Sequence, residues 1–240
     1  MALTVAIPTM ERWSFLKEQV PKYLENPNVA YVVISDENGK DINIICELGL
    51  DSHHKMRLYN NDSVLGVYGN KRQCFLNAPS EWVAVLDSDN QFDADFFEGF
   101  QKARERDGAV VSEKTIYCAG DIHFYNLKTC AVENKTRQFS GMKISRNNWN
   151  DVLKMSGWNF LLNDGNCIWP RDVIKHFPDL PEDQIVGTDS IFFMRQAIQA
   201  GYTLSVEPTM HYVHVVHDGS HWLQNASVSS RLMGLRDWRV

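Results

Sequence analysis

The chain has 240 residues, 44% of them hydrophobic, which is apolar material for a substantial core in one large domain or two small ones. Thirty acidic against 24 basic residues leave a net charge of −6, which argues against a nucleic-acid binder held by a basic surface. No apolar run approaches the roughly 18 residues of a transmembrane segment, and the N-terminus lacks a basic stretch followed by an apolar signal core.

Residues 3–7 are a short apolar run stopped by Pro8, and 12–24 place Phe15, Leu16, Val20 and Leu24 near helical spacing despite Pro21. The chain therefore opens strand, turn, helix. Residues 29–34 are a β-branched run ended by turn formers at 35–39, which predicts a second strand. Weaker strand candidates at 42–46 and 56–59 precede a helix at 67–76 that follows Gly66 and stops before Pro79. Residues 82–86 form a near-continuous apolar run of the buried-strand kind, delivering the chain into Asp87, Ser88, Asp89 and Asn90.

Helix signals agree over 93–108: Asp93 as the cap, Phe96, Phe97, Phe100 and Ala103 on one face, then Arg104 and Arg106 before a glycine stop. Residues 109–132 read as short strands joined by turns around Gly120 and Asn126, and 147–166 as a loop-rich stretch with one helical piece. A helix at 188–200 is closed by Gly201, and 203–206 and 211–216 are the last strands. No repeat or flexible linker divides the chain, so a boundary near 108–112 is functional rather than a break between folding units. Strands alternating with helices in the first half imply a mostly parallel sheet whose ligand site lies beyond the carboxyl ends of the strands.

Each apolar strand of that half ends in a polar cluster: Thr9 and Glu11, then Asp36 and Glu37, then Asp87 and Asp89. With 18 aspartates, two Asp-x-Asp pairs are what chance supplies, so context must separate them. Asp93 and Asp95 sit where a helix start favours acids. Asp87 and Asp89 directly follow a buried strand, where crowded carboxylates repel unless a cation or hydrogen-bond donors compensate. Four of the eight histidines, His211, His214, His217 and His221, fall within eleven residues. Strand alternation puts His211 and His217 on one face and His214 on the other. His217 is favoured as a ligand over His214 because Asp218, Gly219 and Ser220 end the strand there. Carboxylates plus imidazole suit a divalent ion such as Mn²⁺.

Asp189, just after Gly187 and Thr188, is either a first-turn acid favoured by the helix dipole or a general base. Asp164 and Glu182 are the other carboxylates open to that task. Trp158, Trp169 and Trp222 are core residues or stacking platforms for a sugar. Five scattered cysteines without Cys-x-x-Cys spacing fit reduced thiols and a cytoplasmic protein.

The opening Leu-Thr-Val-Ala-Ile-Pro-Thr, the strand end Val-Val-Ile-Ser-Asp-Glu-Asn-Gly, the Gly66 to Asn70 and Lys71 stretch, Leu-Asp-Ser-Asp at 86–89 and Gly-Thr-Asp at 187–189 follow one another in order. Together they resemble the GT-A fold glycosyltransferases and are most similar to the inverting, nucleotide-sugar-dependent enzymes of family 2. The resemblance implies an α/β, Rossmann-like fold with a mixed, mostly parallel central sheet flanked by helices. It implies one GT-A domain over 1–240, with a nucleotide-sugar-binding half at 1–108 and an acceptor-binding half at 109–240.

The donor is expected at Pro8, Thr9, Glu11, Asp36, Asn70, Lys71, Asp87, Ser88 and Asp89; because Asp36 ends the second strand where an acceptor meets a ring N–H of the base, the donor is expected to be a uridine diphosphate sugar, with guanosine the alternative base. Asp87, Asp89 and His217 are the implied ligands of Mn²⁺ or Mg²⁺. Asp189 is the implied base, activating an acceptor hydroxyl of a glycan or other molecule for a single displacement of the nucleoside diphosphate; Trp158, Trp169 and Trp222, platforms or core, are the candidate acceptor contacts that residue type alone offers. Where family members often carry two acids in succession, Thr188 precedes Asp189 here.

Three other readings compete. A sugar-phosphate nucleotidyltransferase shares the sheet and acidic site, but Pro-Thr-Met-Glu at 8–11 is not its glycine- and arginine-rich phosphate loop, and it releases pyrophosphate. A metal-dependent hydrolase built on the histidines lacks a paired His-x-His or His-Glu-x-x-His set. A catalytically silent nucleotide- or glycan-binding module releases no nucleoside diphosphate at all.

Overall fold

The computed structural model describes residues 2–220 and 224–240. Strand β1 (Leu3–Thr9) leads through helix α1 (Trp13–Glu25) to β2 (Tyr31–Asp36), α2 (Lys40–Glu47), β3 (Met56–Asn60), α3 (Gly66–Asn77) and β4 (Trp82–Val85). There follow β5 (Gln91–Phe92), α4 (Ala94–Ser112), β6 (Thr115–Asn126), β7 (Val132–Asn134), β8 (Lys143–Ile144) and two one-turn helices, α5 (Trp149–Val152) and α6 (Trp158–Leu161). The chain closes with β9 (Cys167–Pro170), α7 (Asp189–Gln199), β10 (Thr203–Val216) and a C-terminal helix (Ala226–Leu235).

Among the described residues the strands form one ten-stranded mixed sheet in the order β3-β2-β1-β4-β9-β6-β10-β5, with β7 beside β6 and β8 beside β10. The first four run parallel, which aligns Thr9, Asp36 and Asn60 at their carboxyl ends. Strand β9 is antiparallel to both β4 and β6, and β6 and β10 are parallel. Side-chain alternation sorts the apolar residues into two layers. Leu3, Val5 and Ile7 pack with Leu16 and Val20 of α1 and Phe96, Phe97 and Phe100 of α4. Ala6, Val33, Val83 and Val85 face the other way, toward Tyr68 and Phe75 of α3 and Phe193 of α7. This is the α/β architecture expected from the sequence. No helix among the described residues is long and apolar enough to cross a membrane.

Several local expectations are corrected. Residues 42–46 are part of helix α2, not a strand. Gly39 turns the chain at φ 75°, and the carboxylate of Asp36 accepts the N–H groups of Asn38 (3.2 Å) and Ile42 (3.0 Å), satisfying donors that a helix start leaves open. So short an apolar run cannot distinguish the helical period from the strand period. Gly120 makes no turn: β6 is one continuous strand, and a Cβ at Gly120 would lie 2.6 Å from the carbonyl oxygen of Glu207 on β10. Strand β10 is likewise continuous where two strands were expected, with a register shift between Glu207 and His211. Gly108 breaks the path of α4 at φ 73° and ψ 170°, but helical residues continue to Ser112. Asp93 precedes α4 in extended backbone without a side-chain capping bond. Residues 147–166 hold two one-turn helices, not one.

Candidate active site

A cleft of about 1150 Å³ opens beyond the carboxyl ends of β1, β2 and β4. Its first wall is the end of β1, where Pro8 and Thr9 line the cleft. The hydroxyl of Thr9 donates to Asp41, whose carboxylate also accepts the N–H groups of Arg12 and Trp13, each at 2.9 Å. One buried acid on α2 thus satisfies the start of α1 and orients a residue of the cleft. Arg12 reaches the loop after β10, donating to the carbonyl of Gly219 at 3.1 Å.

Helix α3 supplies the next wall. Asn70, buried, donates to the carbonyl of Ser35 (3.0 Å) and accepts from Asn61 (3.2 Å). Gly66 adopts φ 75° and a Cβ there would lie 2.5 Å from Glu182 Oε2. That oxygen accepts Tyr68 N–H at 3.2 Å, and Glu37 accepts Leu65 N–H at 2.6 Å, so two acids serve the start of α3. Burial pushes the pKa of both carboxyls up.

Lys71 lies at the centre of charge. Its ammonium is 2.9 Å from Asp87 Oδ1, 3.0 Å from Asp164 Oδ1 and 2.9 Å from Asp189 Oδ2. Burial alone would lower the lysine's pKa, but Asp164, Asp189 and Asp87 reverse the sign and hold it well above the ordinary value. Asp164 is wholly buried. Burial pushes its carboxyl up to about 6, Lys71 opposes the shift, and the Asp87 and Asp189 charges add to it.

Asp89 and His217 meet directly, Oδ2 to Nε2 at 2.9 Å. Nδ1 of His217 lies 3.1 Å from the Gly219 N–H, and Nε2 is the ring nitrogen that faces Asp89. His214 lines the cleft with its ring 5.2 Å from Phe124, and its Nδ1 is buried without a hydrogen-bond partner. Burial lowers its pKa.

Among the described residues no three His, Cys, Asp or Glu side chains cluster as a metal centre. Asp89 and His217 are juxtaposed, whereas the Asp87 oxygen nearest Lys71 is taken by the ammonium. Two protein ligands fit an ion of the Mg²⁺ or Mn²⁺ kind, which binds one or two side chains and takes its remaining oxygens from phosphate and water.

Of the residues expected at the donor, Pro8, Thr9, Asn70, Lys71, Asp87, Ser88 and Asp89 line the cleft, and so does Asp189. Asp36 does not. It is fully buried with both oxygens on backbone N–H groups, and Glu37 takes its place on the wall. Glu11 also lies off the cleft, its carboxylate on Lys40 (2.7 Å) and Asn38 (3.0 Å).

Trp169 is fully buried against Phe75 and Phe177, its indole N–H bonded to the Asp164 carbonyl at 3.2 Å, so it is no platform. Trp158 packs against the core rather than lining the cleft. Trp222 and His221 lie outside the described residues. His211 pairs with Asp95 at 2.6 Å outside the cleft, which separates it from His217 despite strand alternation. The phenylalanine rings that line the cleft are Phe124 and Phe160, 5.1 Å apart, with the Lys135 ammonium 4.9 Å from Phe160. Phe124 sits on a strand and Phe160 on a one-turn helix, and neither carries a local sign of exposure to a ligand.

A model of glycosyl transferase family 2 matches residues 4–161. No curated protein matches the sequence. Among solved structures, Staphylococcus aureus TarS 1–349 in complex with UDP-GlcNAc aligns with a TM-score of 0.63 at 15% identity, over 92% of this chain and 60% of that one. The same TarS fragment in complex with UDP aligns at 0.63 and 16% identity over 99% and 67%. S. aureus TarS itself aligns at 0.65 and 15% over 90% of this chain and 37% of that one. At these identities the likeness is one of fold, and this chain spans 60% of the length of the first of these structures.

Proposed function

The chain belongs to glycosyl transferase family 2 and has the GT-A fold, and from that premise we propose that it transfers a sugar from a uridine diphosphate sugar to an acceptor hydroxyl with inversion. The observation that carries this reading is the meeting, in one cleft, of the Asp87–Asp89 pair with the Asp189 carboxylate, Asp87 and Asp189 sharing the Lys71 ammonium. Residues 1–108 supply the donor side and 109–240 the acceptor side, with His217 as the late contribution to the donor site.

Asp189 accepts the proton of the acceptor hydroxyl as its oxygen bonds to the anomeric carbon. The bond from that carbon to the diphosphate oxygen breaks on the opposite face, and the electron pair leaves with the nucleoside diphosphate. Asp89 and His217 are the residues to hold Mn²⁺ or Mg²⁺, which when bound neutralises charge on the leaving diphosphate. Pro8, Thr9 and Asn70 shape the nucleotide wall. A reducing compartment such as the cytoplasm, expected from five scattered cysteines without Cys-x-x-Cys spacing, is part of this proposal.

The test is release of UDP from UDP-GlcNAc, the sugar nucleotide bound by the TarS fragment, together with other UDP- and GDP-sugars, in Mn²⁺, in Mg²⁺ and in chelator. Metal-dependent UDP release that Asp89→Asn abolishes is the expected result. Pyrophosphate formed from UTP and a sugar 1-phosphate, with no UDP released from any sugar nucleotide, overturns the reading in favour of a nucleotidyltransferase, and binding of every sugar nucleotide without turnover of any overturns it in favour of a silent binding module.

A further inference from the structure

Lys71 holds one ammonium among carboxylates from three separate parts of the chain. Asp87 follows β4, Asp164 lies in the turn before β9, and Asp189 opens α7. An ammonium has three N–H bonds. Hydrogen bonds to Asp164 (3.0 Å) and Asp189 (2.9 Å) use two of them, Asp87 lies at ion-pair distance, 2.9 Å, and the side chain is only 4% exposed. A direct contact of Lys71 with the donor would have to form beside these three carboxylates.

Asp164 is built to stay where it is. Ser190 from α7 donates to the same Oδ1 that meets Lys71, the Trp169 indole fixes its carbonyl, and the residue has no exposed surface. Asp189, by contrast, has one oxygen on the ammonium and a side chain on the cleft wall, leaving Oδ1 for a ligand. Three carboxylates around one ammonium repel one another, so it is the cation whose removal leaves buried charge uncompensated.

We propose that Lys71 is a positioning residue: anchored by buried Asp164, its ammonium fixes the carboxylate of Asp189 relative to that of Asp87, holding the two in one reacting geometry. The inference rests on the reading of Asp189 as the base. It places Lys71 behind the reacting groups, acting through Asp189 rather than on the substrate.

Lys71→Met keeps the apolar stem and removes the charge. UDP release from UDP-GlcNAc in Mn²⁺ should fall by roughly 10²-fold, the scale on which an ångström of misplacement acts. The dissociation constant of UDP, measured by titration calorimetry in Mn²⁺, should change by less than about threefold, because no bond to the nucleotide is lost. The single variant leaves three facing carboxylates, so Lys71→Met/Asp164→Asn is measured beside it. The second change removes one charge and puts an amide donor within reach of Asp189, and should recover about tenfold of the lost rate, a coupling of ordinary size for neighbours in one network.

Asp189→Asn serves as the reference for an absent base. If Lys71→Met weakens UDP binding as much as it slows release, Lys71 contacts the nucleotide and the proposal is overturned. If it releases UDP at the parental rate while Asp189→Asn does not, the clamp is unnecessary and the base reading stands alone. A double variant that folds, by its melting temperature, yet is no faster than Lys71→Met removes Asp164 as the anchor. Parental release by Asp189→Asn overturns the base reading, and the positioning role with it.

Discussion

Replacing Asp189 by Asn exchanges one oxygen for an amide and removes one negative charge where three carboxylates face a single ammonium. Activity and stability should then move in opposite directions. Loss of one acid–base group lowers a rate by roughly 10² to 10⁴, about 3 to 5 kcal/mol of barrier at 1.36 kcal/mol per decade. On the stability side, Lys71 keeps Asp87 and Asp164, and the amide oxygen of Asn can still accept from it. With every carboxylate ionised, the group's net charge falls from −2 to −1. Relief of one screened repulsion of this kind is on the order of 1 kcal/mol, which raises Tm by about 2–4 °C in a chain of this length. The assay pairs UDP release from UDP-GlcNAc, water serving as the hydroxyl, with a calorimetric melt at the same pH. Near-parental release means that Asp189 is only a partner of Lys71. A Tm lower by several degrees means that its ion pair outweighs the repulsion, and the charge argument is refuted.

Asp36→Ala strips the partner from two backbone N–H groups and should cost about 1–3 kcal/mol of stability, while UDP affinity well below Tm stays within about threefold; weakened UDP binding at unchanged Tm would restore Asp36 to the nucleotide site. Gly165→Ala pushes a methyl to 2.9 Å from the Tyr212 hydroxyl and 3.3 Å from Asp87 Oδ2, so an overpacking cost of about 1–3 kcal/mol and slower UDP release are expected, and a variant matching the parent in both refutes that packing. Asp164 holds its proton more tightly folded than unfolded, so the stability it contributes is present below about pH 4 and is lost as pH rises through about 6. By 1.36 kcal/mol per unit the loss approaches about 3 kcal/mol; Asp164→Asn should lack it, gaining stability relative to the parent between pH 4 and 6.5 in urea melts, and a pH-independent difference would contradict the raised pKa.

Local pattern in the sequence was enough for the strands that carry the site. Apolar runs ending in Thr9, Asp36 and Asp87 identify buried strands and the rim on which they end, because burial and turn chemistry leave their mark within a few residues. The same logic located Asp89, His217 and Asp189, each at the end of a strand or the start of a helix. What it could not supply is partnership. The Lys71 ammonium meets Asp164 and Asp189 across 93 and 118 residues of sequence, and no periodicity encodes such a distance. Whether Asp36 or Glu37 faces the cleft, and whether Trp169 is a platform or a core residue, depends on rotations of one position along the chain that only packing against α2, α3 and the turn at Asp164 decides. Residues 42–46 show the same limit on a smaller scale. Their apolar content suits a strand or a helix equally, and the choice was made by Gly39 and by the Asp36 carboxylate reaching forward to Ile42. Composition and periodicity tell a side chain how deeply it is buried; the pairing of charges, which sets the chemistry of this cleft, exists only once strands distant in sequence lie side by side.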